Sequence, residues 1–511
     1  MDDFSSSLAP ILGYSSRLLY AYIYRYDNLN RCIYKKLPGC EPVYYIYDKA
    51  GNCVLSQDGA QRAAGVWYYS IPDKFGRPCL TGTCANTYTY TGEPLQQLVR
   101  VTKGSAASST VLNAEYTNIY DFPHNNLLHH RVLKLKNASG TVVHMDTIQS
   151  LTYNDLGQVI QLKRGGHQAD MSYQYDLLQG VVSGISSTNG FRQTLYRDRN
   201  TSQPLCNGSI SSMEWQLPGE GVAHRYAYQY DGQNRLTTAT YAQLSGMSAT
   251  SASSHGPAAA SLLSLIPAAE TSSVLQTSRY DETIGYDKHS NITSLQRRGM
   301  TNTRTFGLID NLSFSYTGNQ RTAVQDAASA LTYSGASDFV NGANTTNEYT
   351  YNASGALTKD LNRGISAIQY DALGNVQKIT FTNDRSIEYY YTADGTRHKA
   401  IHVQRLASGS FSRDTTDYVC GMILKGRHPE SYQFDGGYAS FSNDAYAGWH
   451  YYIQDYMGNN RMVVNRNGST EQKTHYYPYG GVIGDISTNE SLQKYKFEGK
   501  ELDRSFGLDN Y

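Results

Sequence analysis

Tyr47-Asp48-Lys49-Ala50-Gly51-Asn52 and Tyr370-Asp371-Ala372-Leu373-Gly374-Asn375 are two copies of one short unit, far apart in the chain. Variants of the unit are Tyr26-Asp27-Asn28-Leu29-Asn30-Arg31, Tyr230-Asp231-Gly232-Gln233-Asn234-Arg235, Tyr351-Asn352-Ala353-Ser354-Gly355 and Asp455-Tyr456-Met457-Gly458-Asn459. Successive turns, such as those ending at Gly355, Gly374 and Gly395, recur at about twenty residues. The last position is Gly, at Gly51, Gly76, Gly157, Gly355, Gly374, Gly395 and Gly458, or Asn, at Asn30 and Asn234. Gly and Asn hold a left-handed backbone most easily. The first position is Asp or Asn, whose side chain accepts a bond from an N–H two residues on. The pair predicts a type I turn closed by a left-handed residue, a common hairpin loop. Asp287, followed at that offset by Ser290, and Asp176, followed by Gln179, depart from the pattern.

The residues ahead of the turn alternate. Tyr22, Tyr24 and Tyr26 fall at every second position, as do Tyr226, Tyr228 and Tyr230. Period two places such rings on one face of a strand. Each unit therefore predicts two strands and a turn. One hairpin is marginal alone, so neighbours must pair edge to edge into a continuous sheet. A propeller blade has about twice this period, and the ladder of a leucine-rich repeat is absent.

Composition agrees with that reading. The 511 residues contain 45 Tyr against 13 Phe and 3 Trp, with 45 Gly and 13 Pro. Tyr suits strands and half-wet surfaces. The tyrosines are read as structural, with sugar stacking as the other reading. Lys+Arg and Asp+Glu are both 44, a formal charge of zero that gives no electrostatic reason to expect nucleic acid. The most apolar stretch, Ala258 to Ala269, is interrupted by Pro267 and falls short of the ~20 residues of a membrane span. The start, Met1-Asp2-Asp3-Phe4, is acidic where a signal peptide would be basic. The seven cysteines include Cys32, Cys40, Cys53, Cys79, Cys84, Cys206 and Cys420, with no Cys-x-x-Cys pair, so zinc is not expected. Buried thiols, with one or two disulfides if the chain is exported, are the expectation.

No phosphate-binding loop, nucleophile elbow or His-Glu-x-x-His motif is present. His124, His129 and His130, and the pair His398 and His402, lack companion acids or thiols at ligand spacing and are read as ordinary structural histidines. The many Asp residues are explained by turns rather than by a glycosidase pair. The expectation is that the chain has no catalytic residue, no metal site and no cofactor.

These repeats resemble the YD repeats of the RHS family. The C-terminal stretch strengthens the resemblance through Tyr451 to Arg461, Tyr476-Tyr477-Pro478-Tyr479-Gly480-Gly481, and Tyr495 to Asp503 followed by Gly507-Leu508. Within these motifs Arg461, Tyr477, Pro478, Gly480, Gly499, Lys500, Glu501, Asp503, Gly507 and Leu508 match the RHS repeat-associated core, whose further cleavage segment and effector are not seen after Tyr511. The resemblance implies an all-β fold: tandem hairpins in a continuous, spirally wound antiparallel sheet, part of a cocoon-like shell. The domain reading is a repeat array over 1–243, an Ala/Ser-rich loop or insertion over 244–277 with a short helix near Ala258 to Leu265, a second array over 278–447, and a partial core over 448–511. The implied function is a non-catalytic shell segment of a secreted or polymorphic-toxin protein. In its full-length form it would lie outside the cell or at its surface, and its partners would be its own further core and effector. The other reading is a cell-surface module that binds glycans or another cell through its tyrosine-rich sheet.

Overall fold

Each Tyr-Asp-x-x-Gly unit closes a hairpin by the same set of bonds. In the Asp371 turn, Gly374 N–H donates to the Asp371 carbonyl and Asp371 N–H to the Asn375 carbonyl. Asp371 Oδ1 accepts from the N–H groups of Leu373 and Asn375, and Oδ2 accepts from Asn375 Nδ2 at 2.9 Å. The residue after the Gly thus locks the Asp in place, which explains why it is Asn or Arg: Arg31 and Arg235 donate Nε to Asp27 and Asp231 in the same way. Gly374 has φ 85° and Asn234 φ 62°; Asn30, Gly51, Gly355, Gly395 and Gly458 are also positive. Ser290 takes φ 70° in the Asp287 turn, so that departure in sequence is none in geometry. The Asp176 turn gains one residue and closes through Gly180 at φ 65°. In strand pairs flanking the turns the register shifts by one at the tyrosine, as a left-handed bulge requires.

The computed structural model describes residues 21–509 apart from 39, 64, 73–77, 86–112, 121–126, 137–140, 177–178, 198–206, 246–272, 330, 332, 334, 336 and 393–394. The helix expected near Ala258, and Gly76, His124 and Cys206, lie outside the described residues. Strands β1 (Ile23–Tyr26) to β21 (Gln320–Asp326) form a 21-stranded sheet, and β22 (Tyr349–Tyr351) to β34 (Thr470–Lys473) a 13-stranded one. Pairing is antiparallel between chain neighbours, so the fold is a long meander of hairpins. Strand β16 (Leu236–Leu244) pairs with both β17 (Val274–Thr277) and β18 (Glu282–Tyr286). The 244–277 stretch read as loop therefore begins and ends in strand, because Val274 to Thr277 extends the ladder along Leu244 to Ala242. The second sheet also runs on past 447: β32 (Ala445–Gln454), β33 (Asn460–Asn465) and β34 continue it into the C-terminal region.

The two sheets meet at Glu348, which is fully buried. Its N–H donates to the Thr322 carbonyl, and its Oε2 accepts from Val324 N–H and Asn362 Nδ2, both at 2.8 Å. One core joins both sheets, including Leu133, Trp215, Tyr226 and Tyr241 from strands of the first, Tyr280 from the bend between β17 and β18, and Tyr432, Trp449 and Tyr451 of the second. Tyr451 donates its hydroxyl to Asp146, and the Tyr116 and Tyr432 rings lie 6.3 Å apart. A short helix, α1 (Gly59–Ala63), reaches the second sheet through Gln61 Nε2 on Cys420 Sγ. Cys32, Cys53 and Cys420 are free thiols.

The tyrosine ahead of each turn has a second task. Its hydroxyl donates to a carbonyl of the preceding hairpin: Tyr47 to Cys32, Tyr175 to Val159, Tyr286 to Leu236, Tyr316 to Ile292, Tyr370 to Leu357 and Tyr391 to Val376. The acceptor is typically the first strand residue after the previous turn. The ring packs on the sheet while the hydroxyl staples neighbouring units, which is why the array uses Tyr where Phe would bury equally well.

Candidate functional site beneath the C-terminal segment

After β34 the chain leaves the ladder; the segment from Thr474 to Asp509 is tied to the end of β34 by the Lys473–Thr488 bridge and folds on itself through the Tyr476–Val482 and Tyr495–Glu501 bridges. The motif residues expected from the sequence lie along this segment and at the strand it crosses. Asp455, Gly458 and Asn459 form one more repeat turn, in which the Asp455 and Asn459 side chains are buried. Here Asp455 Oδ2 also accepts from Arg461 Nε at 2.9 Å, and both side chains are almost wholly buried. The Arg461 guanidinium lies between the rings of Trp215, at 5.4 Å, and Tyr476, at 5.0 Å. A buried ion pair of this kind specifies an arrangement more than it adds stability.

The Tyr477-Pro478-Tyr479-Gly480 turn closes through Gly480 N–H on the Tyr477 carbonyl. Gly480 has φ 91°, and a Cβ there would stand 2.5 Å from the Phe497 ring, so only Gly fits. Tyr477 is buried and donates its hydroxyl to the Arg298 carbonyl at 2.8 Å. Lys496 N–H donates to the Lys500 carbonyl, and Gly499 takes φ 67° within that turn. The Lys496 ammonium is buried without a hydrogen-bond partner among the described residues, and burial pushes it down to about 7.

A cluster that the sequence reading did not single out sits beside Arg461. Trp215 Nε1 donates to His475 Nδ1 at 3.1 Å, and Tyr241 Oη lies 2.6 Å from His224 Nδ1. Glu220 faces the other nitrogen of each ring: Oε1 is 2.9 Å from His475 Nε2 and Oε2 is 3.2 Å from His224 Nε2. The His475 contact is close but off line for a hydrogen bond. An indole N–H can only donate, so His475 Nδ1 must accept and its proton must sit on Nε2. The His475 Nε2 proton therefore faces Glu220, and Glu220 bridges the two rings across Trp215 and Tyr241. His475 precedes the Tyr476-Tyr477-Pro478 motif directly; its partners lie in other repeats and carry no shared pattern.

Asp310, Asp326 and Asp338 form a second convergence. Asp310 pairs with Arg297 Nη1 at 3.0 Å and accepts from Phe339 N–H; Asp326 caps the N–H groups of Asn311 and Ala328. Burial and the two neighbouring carboxylates push Asp338 up to about 6. Of the histidines weighed in sequence, His129 bonds the Leu151 carbonyl, His398 lies beside Tyr390, and His402 turns to Asp503.

The end of the segment walls a cleft of about 460 Å³ with Tyr389, Tyr391, Gly395, Arg397, Tyr418, Tyr495, Lys500, Glu501, Asp503 and Leu508. Glu501 pairs with Arg397 at 2.6 Å and accepts from the Tyr418 hydroxyl. Asp503 accepts from Ser505 N–H and lies 3.5 Å from His402 Nε2 and 3.4 Å from the Tyr389 hydroxyl. Burial pushes Asp503 up, but the bonds from His402 and Ser505 more than offset this and hold it well below the usual carboxylate range. Two acids that split a peptide must share a proton, which requires one of them to be raised. Among the described residues Asp503 is bonded to His402, Ser505 and Tyr389, and Asp509 is exposed and paired with Arg504. Gly507 takes φ 82°, and Leu508 buries against Ile365, Ile379 and Ile387.

No family model matches the chain, and no curated protein matches it in sequence. Among solved structures it is similar to TcdB2-TccC3, at 16% identity and a TM-score of 0.57, covering 96% of this chain and 25% of that one. It is similar to TcdB2-TccC3-TEV at 14% and 0.52, and to the Photorhabdus luminescens Tc holotoxin pore at 15% and 0.53, each covering 96% of this chain and 26% of the other. At such identities the likeness shows the fold alone, and it fits an all-β, RHS-like architecture. The chain spans about a quarter of the length of the toxin chains it matches.

Proposed function

We propose that this chain is a shell segment of an RHS-type secreted or polymorphic-toxin protein, non-catalytic in itself, which in the full-length form encloses a C-terminal effector. The observation that carries the reading is the construction of the wall. Stapled antiparallel hairpins in two sheets run from Ile23 to Lys473 among the described residues, and the C-terminal segment is tied to them by Arg461, His475 and Tyr477. The shared fold with toxin chains supports it. Asp455, Arg461 and Glu220 are engaged in holding the segment in place, and Asp503 is held ionised by its neighbours.

The direct test is to express the chain together with the coding sequence that follows it in its genome and to digest the product with a broad protease. Protection of the following domain until the shell is unfolded is the expected result; equal digestion with and without the shell would contradict it.

The cleft between Tyr391, Tyr418 and Tyr495 favours a second reading, a glycan-binding surface module, because aromatic faces beside fixed carboxylates suit sugar rings. Saturable binding on a glycan array, lost with Tyr391→Ala, would support it.

A further inference from the structure

Three strands of the second sheet bring together Ser440 of β31 (Gly437–Ser442), His450 of β32 and Glu471 of β34. Ser440 Oγ lies 2.8 Å from His450 Nε2, and Glu471 Oε2 lies 2.5 Å from His450 Nδ1. A carboxylate only accepts, so Nδ1 carries the ring proton and the bare Nε2 accepts from the Ser440 hydroxyl. The Gly448 carbonyl, a second acceptor for that hydroxyl, is farther away at 3.4 Å. Hydroxyl, imidazole and carboxylate in this order make an activated serine: the carboxylate fixes the tautomer and steadies the ring when it takes the proton. Tyr438, opposite His450 in register, stacks on the imidazole at 4.4 Å and 10° and holds its plane. Asn465 Nδ2 lies 3.4 Å from Glu471 Oε1 and orients the carboxylate. Gly448 is the residue opposite Ser440, and the register shifts between Ser440 and Phe441. A Cβ at Gly448 would stand 3.6 Å from His450 Nε2 and 4.0 Å from Ser440 Oγ, so the glycine leaves room beside both reacting atoms. Ser440, Gly448, His450 and Glu471 are all half-buried, within reach of solvent.

We propose that Ser440 is a nucleophilic acyl-acceptor site, which takes the acyl group of an activated ester with His450 as base and Glu471 as the residue that positions it. Ser440 Oγ forms the new bond to the ester carbonyl carbon, and its proton passes to His450 Nε2. The bond from that carbon to the leaving oxygen then breaks, and the leaving group departs as an alcohol with the proton from Nε2. The products are an O-acyl Ser440 and one free alcohol, and no further reactant is consumed. One transfer uses up the hydroxyl, so Ser440 is a modification site of the wall, whatever the shell encloses. The three side chains come from separate strands, and for that reason no local motif marks them in the sequence.

The test treats the full chain with 4-nitrophenyl acetate, follows the release of nitrophenol and locates the acetyl group by peptide mass. The expected result is a burst of about one equivalent of nitrophenol per chain, with the acetyl group on Ser440. Ser440→Ala should abolish the burst, and His450→Gln should slow it about a hundredfold. Glu471→Gln should slow it as well, and Glu471→Asp should recover part of the rate, which a merely structural carboxylate would not do. Gly448→Val, a substitution that a strand accepts, keeps all three groups but fills the space beside them and should also suppress the burst. Far-UV circular dichroism matching that of the parent chain shows that each variant is folded. Acetylation scattered over surface lysines with none on Ser440 would overturn the proposal. So would acetylation of Ser440 at a rate that His450→Gln, in a folded chain, leaves unchanged.

Discussion

Trp215 donates its indole N–H to His475 Nδ1 at 3.1 Å, joining a wall strand to the C-terminal segment. The contact fixes His475 as neutral, and burial pushes it down to about 4. A histidine whose folded pKa lies below its unfolded value near 6.5 is penalised when protonated in the fold. Stability is therefore full above about pH 6.5 and falls as the pH drops toward 4, by on the order of 3 kcal/mol. Urea unfolding at pH 7.5, 5.5 and 4 should show this slope, and His475→Asn should flatten it; an unchanged slope in the variant would contradict the assignment.

The tyrosine staples predict a graded effect of removing one oxygen. Tyr286→Phe keeps the ring but leaves the Leu236 carbonyl without its hydroxyl donor, at a cost of about 1 kcal/mol. Tyr391→Phe should behave alike, while Tyr24→Phe, at an exposed ring, should be neutral. Equal effects at the three positions in chemical denaturation would rule out the staple.

Turn and segment glycines should differ in severity. Gly374 has φ 85° and open space around it, so Gly374→Ala costs only the backbone strain, about 1 kcal/mol, and Gly374→Val somewhat more. Gly480→Ala adds a collision with Phe497 and should cost more than Gly374→Ala in the same denaturation assay.

Much of this was legible from the repeat, because the turn signal is local: Asp, three residues, then Gly or Asn, with alternating tyrosines before it. The role of the residue after the Gly was not, since Asn and Arg are interchangeable only when their bond to the Asp is seen. Trp215, His224 and Glu220 were invisible because each meets His475 across a long stretch of chain. The strand at Val274–Thr277 was masked by the Ala/Ser-rich run ahead of it. The two-sheet division at Glu348 had no sequence mark, since a single buried carboxylate carries it.

Asp338 offers a stabilising change. Its folded pKa, near 6, lies above its unfolded value near 4, so the ionised carboxylate is penalised in the fold. The penalty is complete above about pH 6 and is relieved as the pH falls through 6 toward 4. Asp338→Asn should raise the melting temperature at pH 7.5 and leave it unchanged at pH 4; a gain at both would point to another cause.

The claim that the C-terminal segment braces the wall and does no chemistry is tested most directly by intact mass. The purified chain, incubated across pH 4–8, should keep its full mass at every time point, because Asp503 is held ionised by His402 and Ser505 and shares no proton with a second acid. A discrete fragment that accumulates with time, and that Asp503→Asn or Asp509→Asn abolishes, would show a working cleavage site and contradict the account.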